Sequence, residues 1–252
     1  MPKTFYTSLF DFLDTHRINF VLDANIVRFK DYDYSLFLVL KQSNNTYDNF
    51  IQNRDFEQIE HNKYLIFIWY DLWTTKQDII LSKLTHLFGL SKKIHARKTK
   101  IELISKLDCN LFFNQNHLNQ PVIGYKRVGL ILNNELIALG SFAKKRKFRD
   151  DTYSAELLQF STKNYHHVNG GLSKIIKHFA KIHPIDSLMT YIDLDWSKGE
   201  KFNKIGFNYI SEKSQVYFKL NNSTHKRSVN IDSSPIFNTG SLKSVLKTKI
   251  YL

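Results

Sequence analysis

Apolar positions along the first ninety residues recur with a helical period, then in short unbroken runs. Phe5, Leu9, Phe12 and Leu13 fall on one face of a helix over 5–16. INFVLDANIVRF (18–29) and YSLFLVL (34–40) read as strands, and the second, apolar on both faces, reads as central. Residues 42–62 are polar, Asn-rich and loop-like, and YLIFIWYDLW (64–73) reads as a buried strand followed by a turn. A helix over 74–89 is predicted from a cap at Thr74 or Thr75, a stripe of Ile79, Ile80, Leu84 and Leu87, and Gly89 at its end. Beyond it the pattern predicts a strand (92–104), a helix (105–118) and a hairpin (127–144) turning at Asn133-Asn134, since Asn tolerates positive φ. A strand (152–162), a glycine turn opening an amphipathic helix (168–183) and another strand (186–195) follow. A short helix (197–207) ends at Gly206, and 208–220 supplies a last strand or pair. Residues 221–252 read as a loose basic tail with a helix at 241–248.

The alternation of strands and helices makes the fold class α/β or α+β. With 42% hydrophobic and 14% aromatic residues the chain has enough apolar surface for one sizeable core or two small ones, which excludes a mainly disordered protein. Its single cysteine, Cys109, excludes a disulfide scaffold and any cysteine-based zinc cluster, and reads as a small buried apolar residue. No apolar run approaches a membrane span and the N-terminus has no signal pattern, so the expectation is a cytoplasmic protein without a membrane partner.

Charge divides the chain. Residues 1–90 carry 9 basic and 11 acidic groups, whereas 91–252 carry 27 and 12, a net of +15. This shift places a domain boundary near residue 90, giving domains at 1–90 and 91–220 and a basic tail at 221–252. Two clusters concentrate the excess: Lys92, Lys93, Arg97, Lys98 and Lys100, and Lys144, Lys145, Arg146, Lys147 and Arg149. Such density attracts polyanions through counterion release, so DNA is the expected partner; a solvated basic face on a Lys-rich chain is the alternative.

The glycine turn VNGGLS (168–173) opens a helix, directing backbone N–H groups and the helix dipole toward one point suited to a pyrophosphate. A tight strand–helix connection explains the same glycines. The order strand, helix, hairpin, strand, glycine turn, helix, strand, helix ending in Ile-Gly-Phe, strand resembles the GNAT acyltransferase superfamily. FNKIGF (202–207) is similar to its Phe/Tyr-x-x-x-Gly-Phe segment, and VNGGLS to its pyrophosphate loop, with Val168 where Gln or Arg is usual. A further resemblance, over roughly 64–220, is to phage homing-endonuclease-like proteins that pair a Vsr-type nuclease domain with a GNAT-like module. It rests on Ala96-Arg97-Lys98 (followed by Thr99 in place of Cys), Asn116-His117-Leu118, VNGGLSK and the TYID strand. The module is also similar to the Mom family of phage adenine-modifying proteins. These resemblances imply a small degenerate restriction-endonuclease-like domain followed by a GNAT-like mixed-sheet domain. They imply an acyl-CoA-like donor held by Val168, Asn169, Gly170, Gly171, Ser173 and Lys174.

A Vsr or PD-(D/E)xK site holds Mg²⁺ with paired carboxylates. Asp23 resembles the first of them, but Val39 stands where the second belongs, so the metal site reads as lost, with Asp23 and Asp71 as ordinary surface carboxylates; re-aimed Asp31 and Asp33 would be a way to rebuild it. In the second domain, His117 is a general base or a capping residue, and Glu156 a base for an amine or a buried partner of Lys or Arg. Tyr191 and Asp193 are an acid and its orienting carboxylate, or a packing residue and a loop cap. His166 and His167 contact a phosphate or belong to the loop. His178 and His183 are five apart, not the four of a zinc pair, so no metal is expected. The resulting expectation is a DNA-acting phage or mobile-element protein that modifies a base or amine with an acyl-type donor. The alternatives are a non-catalytic DNA-binding remnant, a nuclease with a rebuilt site, and a small-molecule or protein acetyltransferase.

Overall fold

A computed structural model describes residues 3–39, 64–213, 217–221, 227–229, 236–237 and 241–247. The expected loop at 42–62 lies outside them. The chain forms two compact units: Met1–Gln77, Asp193–Ser197 and Ser214–Gly240 in the first, and Asp78–Ile192, Lys198–Lys213 and Ser241–Leu252 in the second.

Unit 1 starts with helix α1 (Lys3–Thr15), which buries Phe5, Leu9 and Leu13 at i, i+4 and i+8. The stretch expected as one strand at 18–29 is a hairpin, β1 (Phe20–Asp23) and β2 (Ile26–Phe29), because Ala24 adopts φ +50° and turns the chain. Strand β3 (Tyr34–Val39) is interior as expected, paired antiparallel to β2 and parallel to β4 (Tyr64–Trp69). Ile26, Phe37, Val39, Leu65, Phe67 and Trp69 form a core cluster. Helix α2 (Tyr70–Leu87) begins at Tyr70, four residues before the expected cap. The hydroxyls of Thr74 and Thr75 donate to the carbonyls of Tyr70 and Asp71 (2.9 and 2.8 Å), a back-bonding that bends helices, and Lys76 is non-helical (φ −142°, ψ 35°). The division between the units falls just past that kink.

In unit 2 the stretch 92–104 is two strands rather than one: β5 (Lys92–His95) and β6 (Lys100–Leu103), separated by a 3₁₀ turn at Ala96–Lys98. Helix α3 (Lys106–Asn116) is capped by Ser105, whose hydroxyl accepts from Asp108 N (3.0 Å). The hairpin of β7 (Lys126–Leu132) and β8 (Glu135–Phe142) turns at Asn133 and Asn134, both at positive φ, as expected. Next come β9 (Arg146–Lys147), β10 (Tyr153–Thr162), β11 (His166–Asn169), α4 (Gly171–Ile182), β12 (Ser187–Asp193), α5 (Glu200–Lys204) and β13 (Asn208–Lys213). The chain returns to unit 1 for β14 (Tyr217–Leu220), β15 (Arg227–Val229) and β16 (Ile236–Phe237), a small antiparallel sheet ordered β15-β14-β16. It ends in unit 2 with β17 (Ser241–Lys247), a strand where the sequence suggests a helix. The main sheet is mixed, ordered β13-β17-β12-β10-β8-β7-β6, with β9 beside β10 and with β5 and β11 as a separate parallel pair. Helix α4 covers one face, burying Ile175, Ile176, Phe179 and Ala180, with Phe179 stacked on Phe142 at 4.0 Å. Cys109, on α3, is fully buried in a cluster with Phe112 and Phe113 of the same helix and Leu139 of β8.

Candidate functional site

Two features of unit 2 concentrate chemistry: the bend that opens α4, and the parting of β10 from β12. At the bend Gly170 has φ +75°, a region side chains rarely adopt, and turns β11 into the helix. A Cβ there would meet only the Ala96 Cβ, at 3.8 Å, so the outer side of the bend is open. It opens into a groove of about 440 Å³ lined by Ile101, Gly170, Ser173, Lys174, Lys177, His178 and Lys181, with no acid among them. Val168 does not face it: its side chain is buried in the core, where it packs under Gly171, so it offers an incoming group no side-chain contact. The Asn169 side chain hydrogen-bonds His167. Lys174 Nζ donates to Ala96 O (2.9 Å), Thr99 O (2.6 Å) and Thr99 Oγ1 (3.1 Å). The Ala96-Arg97-Lys98 and Ser173-Lys174 segments, 75 residues apart, are thereby one piece of structure, with Lys174 closing the 3₁₀ turn.

Strands β10 and β12 pair in parallel over four rungs, from Ser154↔Ser187 to Leu157↔Thr190, and no further. Thr190 Oγ1 donates to Leu157 O (3.0 Å) at the last rung. There β10 also carries a bulge between Leu157 and Gln159 against β8. The bulge inverts the alternation of β10. Before it, Ala155 and Leu157 enter the core beneath α4 and Glu156 faces away; after it, Phe160 joins that core and Gln159 faces away. On this second face Gln159 accepts from Val122 N (2.7 Å) and donates to Gln120 O (2.8 Å), and His117 Nδ1 accepts from Asn119 N (3.1 Å) within 3.4 Å of the Gln159 amide. His117 itself caps α3 and packs edge-on against Phe113 (5.9 Å).

Glu156, His117 and Tyr191 thus share one face of the sheet. Tyr191 lies two residues beyond Met189, the register partner of Glu156, and the Lys213 ammonium sits 5.6 Å from its ring. Glu156 is half-buried; burial raises its pKa, and Arg146 and Lys243 oppose the rise. Asp193 ends β12 and belongs to unit 1, where its Oδ1 accepts from Asp195 N (3.0 Å), a turn-capping role. Among the described residues no group of three or more His, Cys, Asp or Glu is placed to hold a metal ion, and no helix is long and apolar enough to cross a membrane.

The four carboxylates weighed for a nuclease-type site are not gathered into one environment. Asp23 is an exposed residue ion-paired with Arg28. Asp31 and Asp33 are exposed as well. Asp71 is no surface carboxylate: it is buried and held bidentately by Arg227, from β15. The two basic clusters do not form a single flank. Arg146 and Lys147 pair with Ser154 and Tyr153 at the start of β10, whereas Lys92 and Lys93 pair with His166 and His167 past its end, so roughly 30 Å of strand separates them. All ten cluster residues are exposed.

No family model matches the chain, and no curated protein does. Solved structures similar to it include Naa50 of Arabidopsis thaliana in complex with a CoA-containing bisubstrate analogue, at 8% identity over 59% of this chain and 97% of that one (TM-score 0.43). A GNAT family acetyltransferase from Elizabethkingia anophelis with acetyl-CoA bound is 13% identical over 60% of this chain and 98% of that one (TM-score 0.39). Spermidine N-acetyltransferase of Vibrio cholerae is 13% identical over 62% and 97% (TM-score 0.44).

One cluster escaped the sequence reading. His86 on α2, His167 on β11 and Lys201 on α5 meet within unit 2: the imidazoles stack at 4.5 Å, and Lys201 Nζ donates to His86 Nε2. No sequence signal joins positions 86, 167 and 201. Burial, then Lys201, His167 and Lys83, hold His86 down to about 3 from 6.5. Burial, then Lys201, lower His167, and burial, then Lys204, lower Lys201. Between those two pH values the unfolded chain protonates His86 and the folded chain does not. Stability is therefore lost as pH falls from 6.5 toward 3. The slope from this group stays below about 1.4 kcal/mol per pH unit, because half-burial leaves part of it screened by water. Denaturant titrations at stepped pH should show a shallower acid decline in His86→Phe than in wild type.

Proposed function

We propose that unit 2 transfers an acyl group from an acyl-CoA-type donor to an amine. The observation that carries this reading is the parting of β10 and β12 after the Leu157↔Thr190 rung, on a chain whose next helix opens at a bare glycine bend. The element order that resembles the GNAT superfamily in the sequence supports it too, down to Gly206 (φ +91°) and the buried Phe207 closing FNKIGF. The residues at the bend fit a pyrophosphate. The space beside Gly170 is unfilled, the first-turn N–H groups of a twelve-residue helix lack intrahelical partners, and Ser173 lines the same groove.

The donor supplies an activated acyl thioester. The chain's part is to hold and move protons. Glu156, raised by burial, takes a proton from the incoming amine as its nitrogen forms the C–N bond. Tyr191, on the same face, holds a phenolic proton for the sulfur as the C–S bond breaks. His117 is a positioning residue, fixing the 117–122 loop against Gln159.

Ser173→Asp tests the donor site. A carboxylate at the third helical position favours the helix dipole, so stability should hold or rise by about 0.3–1 kcal/mol. The same charge repels phosphates. Acetyl-CoA should raise the melting temperature of wild type and lose at least about tenfold in affinity for Ser173→Asp. An acetyl-CoA that stabilises neither protein overturns the reading.

A further inference from the structure

The two basic clusters stand at opposite ends of β10, yet helix α4 runs between them, with a basic residue of each side reaching one of its ends. Helix α4 starts beside the 3₁₀ turn that carries Arg97 and Lys98, where Lys174 reaches Ala96 O and Thr99 O. It ends at His183, whose ring stands 5.3 Å from Phe179 and 5.8 Å from Tyr125; Lys145 Nζ donates to Pro184 O (3.4 Å) just past that end. Between the two, Lys177 and Lys181 are exposed one helical turn apart, on the side opposite the buried Ile175, Ile176 and Phe179. The twelve residues of α4 cover about 18 Å.

We propose that this row, from Arg97 and Lys98 through Lys177 and Lys181 to Lys126 and Lys145, is a track for the phosphate backbone of a nucleic acid.

Three observations favour that occupant. First, the middle of the track runs along the open groove of about 440 Å³ that begins at the Gly170 bend, whose lining includes Lys177 and Lys181 and no acidic residue. Second, cations converge on the far end, where Lys145 Nζ lies 4.5 Å from the Tyr153 ring and reaches Pro184 O. Lys126 and Lys145 both depress His183, after burial, and His183 Nε2 is buried without a hydrogen-bond partner. Third, exposed rings stand beside the charges: Tyr125 (52% exposed, with the Lys126 ammonium 5.0 Å from its centroid) and Phe148 (56%) offer surfaces on which unpaired bases stack. An anionic membrane fits less well. The apolar face of α4 is spent on the core, so the helix has nothing to insert into lipid. The track reaches the Gly170 bend, but it rests on Lys177, Lys181 and the two flanks, not on the donor reading.

The test is fluorescence anisotropy with labelled single-stranded and duplex DNA across a salt series. Vesicles of phosphatidylserine and phosphatidylcholine serve as the second probe. Wild type should bind DNA with an affinity that falls steeply with salt. Lys177→Glu/Lys181→Glu should lose at least about tenfold, and the neutral Lys177→Gln/Lys181→Gln should flatten the log–log salt slope by about 2, near 0.9 for each phosphate contact removed. Lys204→Glu/Lys247→Glu, the same change in net charge at exposed sites of unit 2 on α5 and β17, with β12 and β10 between β17 and the β7–β8 hairpin, should stay within about twofold of wild type. Equal losses in the track and control variants overturn the proposal, since binding would then follow net charge alone. So does vesicle binding that matches or exceeds DNA binding. Stabilisation of wild type by acetyl-CoA reports separately on the donor site: its absence with DNA binding intact sinks the acyltransferase reading and leaves the track standing.

Discussion

Arg227→Ala should cost unit 1 about 3–5 kcal/mol, the range for stripping one partner from a buried ion pair. The Arg227 Nε and Nη2 groups hold both oxygens of Asp71, the second at 2.8 Å, and the side chains are only 13% and 5% exposed. The guanidinium also lies 5.2 Å from the Trp69 ring, whose Nε1 donates to buried Asp195 (2.9 Å). Truncation leaves the Asp71 carboxylate buried without its countercharge and strips one side of Trp69. The mechanism makes a second demand. Asp71→Leu/Arg227→Met removes both charges, so it should recover most of the loss, because an apolar pair of similar volume needs no desolvation of ions. Urea unfolding followed by tryptophan fluorescence measures both. A single-variant loss below about 1 kcal/mol would mean that the pair behaves as a solvated surface bridge.

That pair also marks the limit of what the chain discloses in one dimension. Asp71 looks like a surface carboxylate because its partner lies 156 positions away, on a segment whose polar composition reads as a tail. Where structure follows from local chemistry, the sequence is a good guide. Asn133-Asn134 must turn, Gly170 must bend, and the stripe of Ile175, Ile176 and Phe179 must face a core. Ala24 at φ +50° has no such signature, so the hairpin at 20–29 reads as one strand. SLKSVLK (241–247) carries apolar residues at helical spacing in Leu242, Val245 and Leu246, and its place between β13 and β12 settles it as a strand that buries Ser244 and Leu246. Lys177 and Lys181 stand at i and i+4, but a basic stripe opposite an apolar one is what any solvated helix shows. Only the flanking elements, Ala96–Lys98 at one end and Lys145 at the other, join it to the clusters.

Glu156→Gln should lower the rate of acyl transfer by about 10²–10⁴, the usual worth of a positioned general base, with little change in KM for the donor. A structural role would also lose activity through misfolding, so the pH dependence decides between them. In wild type the acid limb of the rate profile should follow the Glu156 carboxyl, displaced upward from an ordinary glutamate by burial and held back by Arg146 and Lys243. The Gln variant should have no such limb. Stability should move the opposite way. Because the folded carboxyl holds its proton to higher pH than the unfolded one, the folded state binds more protons in that window. Wild-type stability therefore falls as pH rises through it, and then levels off. A neutral amide carries no such penalty, so Glu156→Gln should be the more stable protein at neutral pH, an advantage that disappears in acid. An inactive variant that is also less stable at neutral pH would make Glu156 a packing residue; one that is more stable yet slow is the signature of a carboxylate kept half-buried for its chemistry.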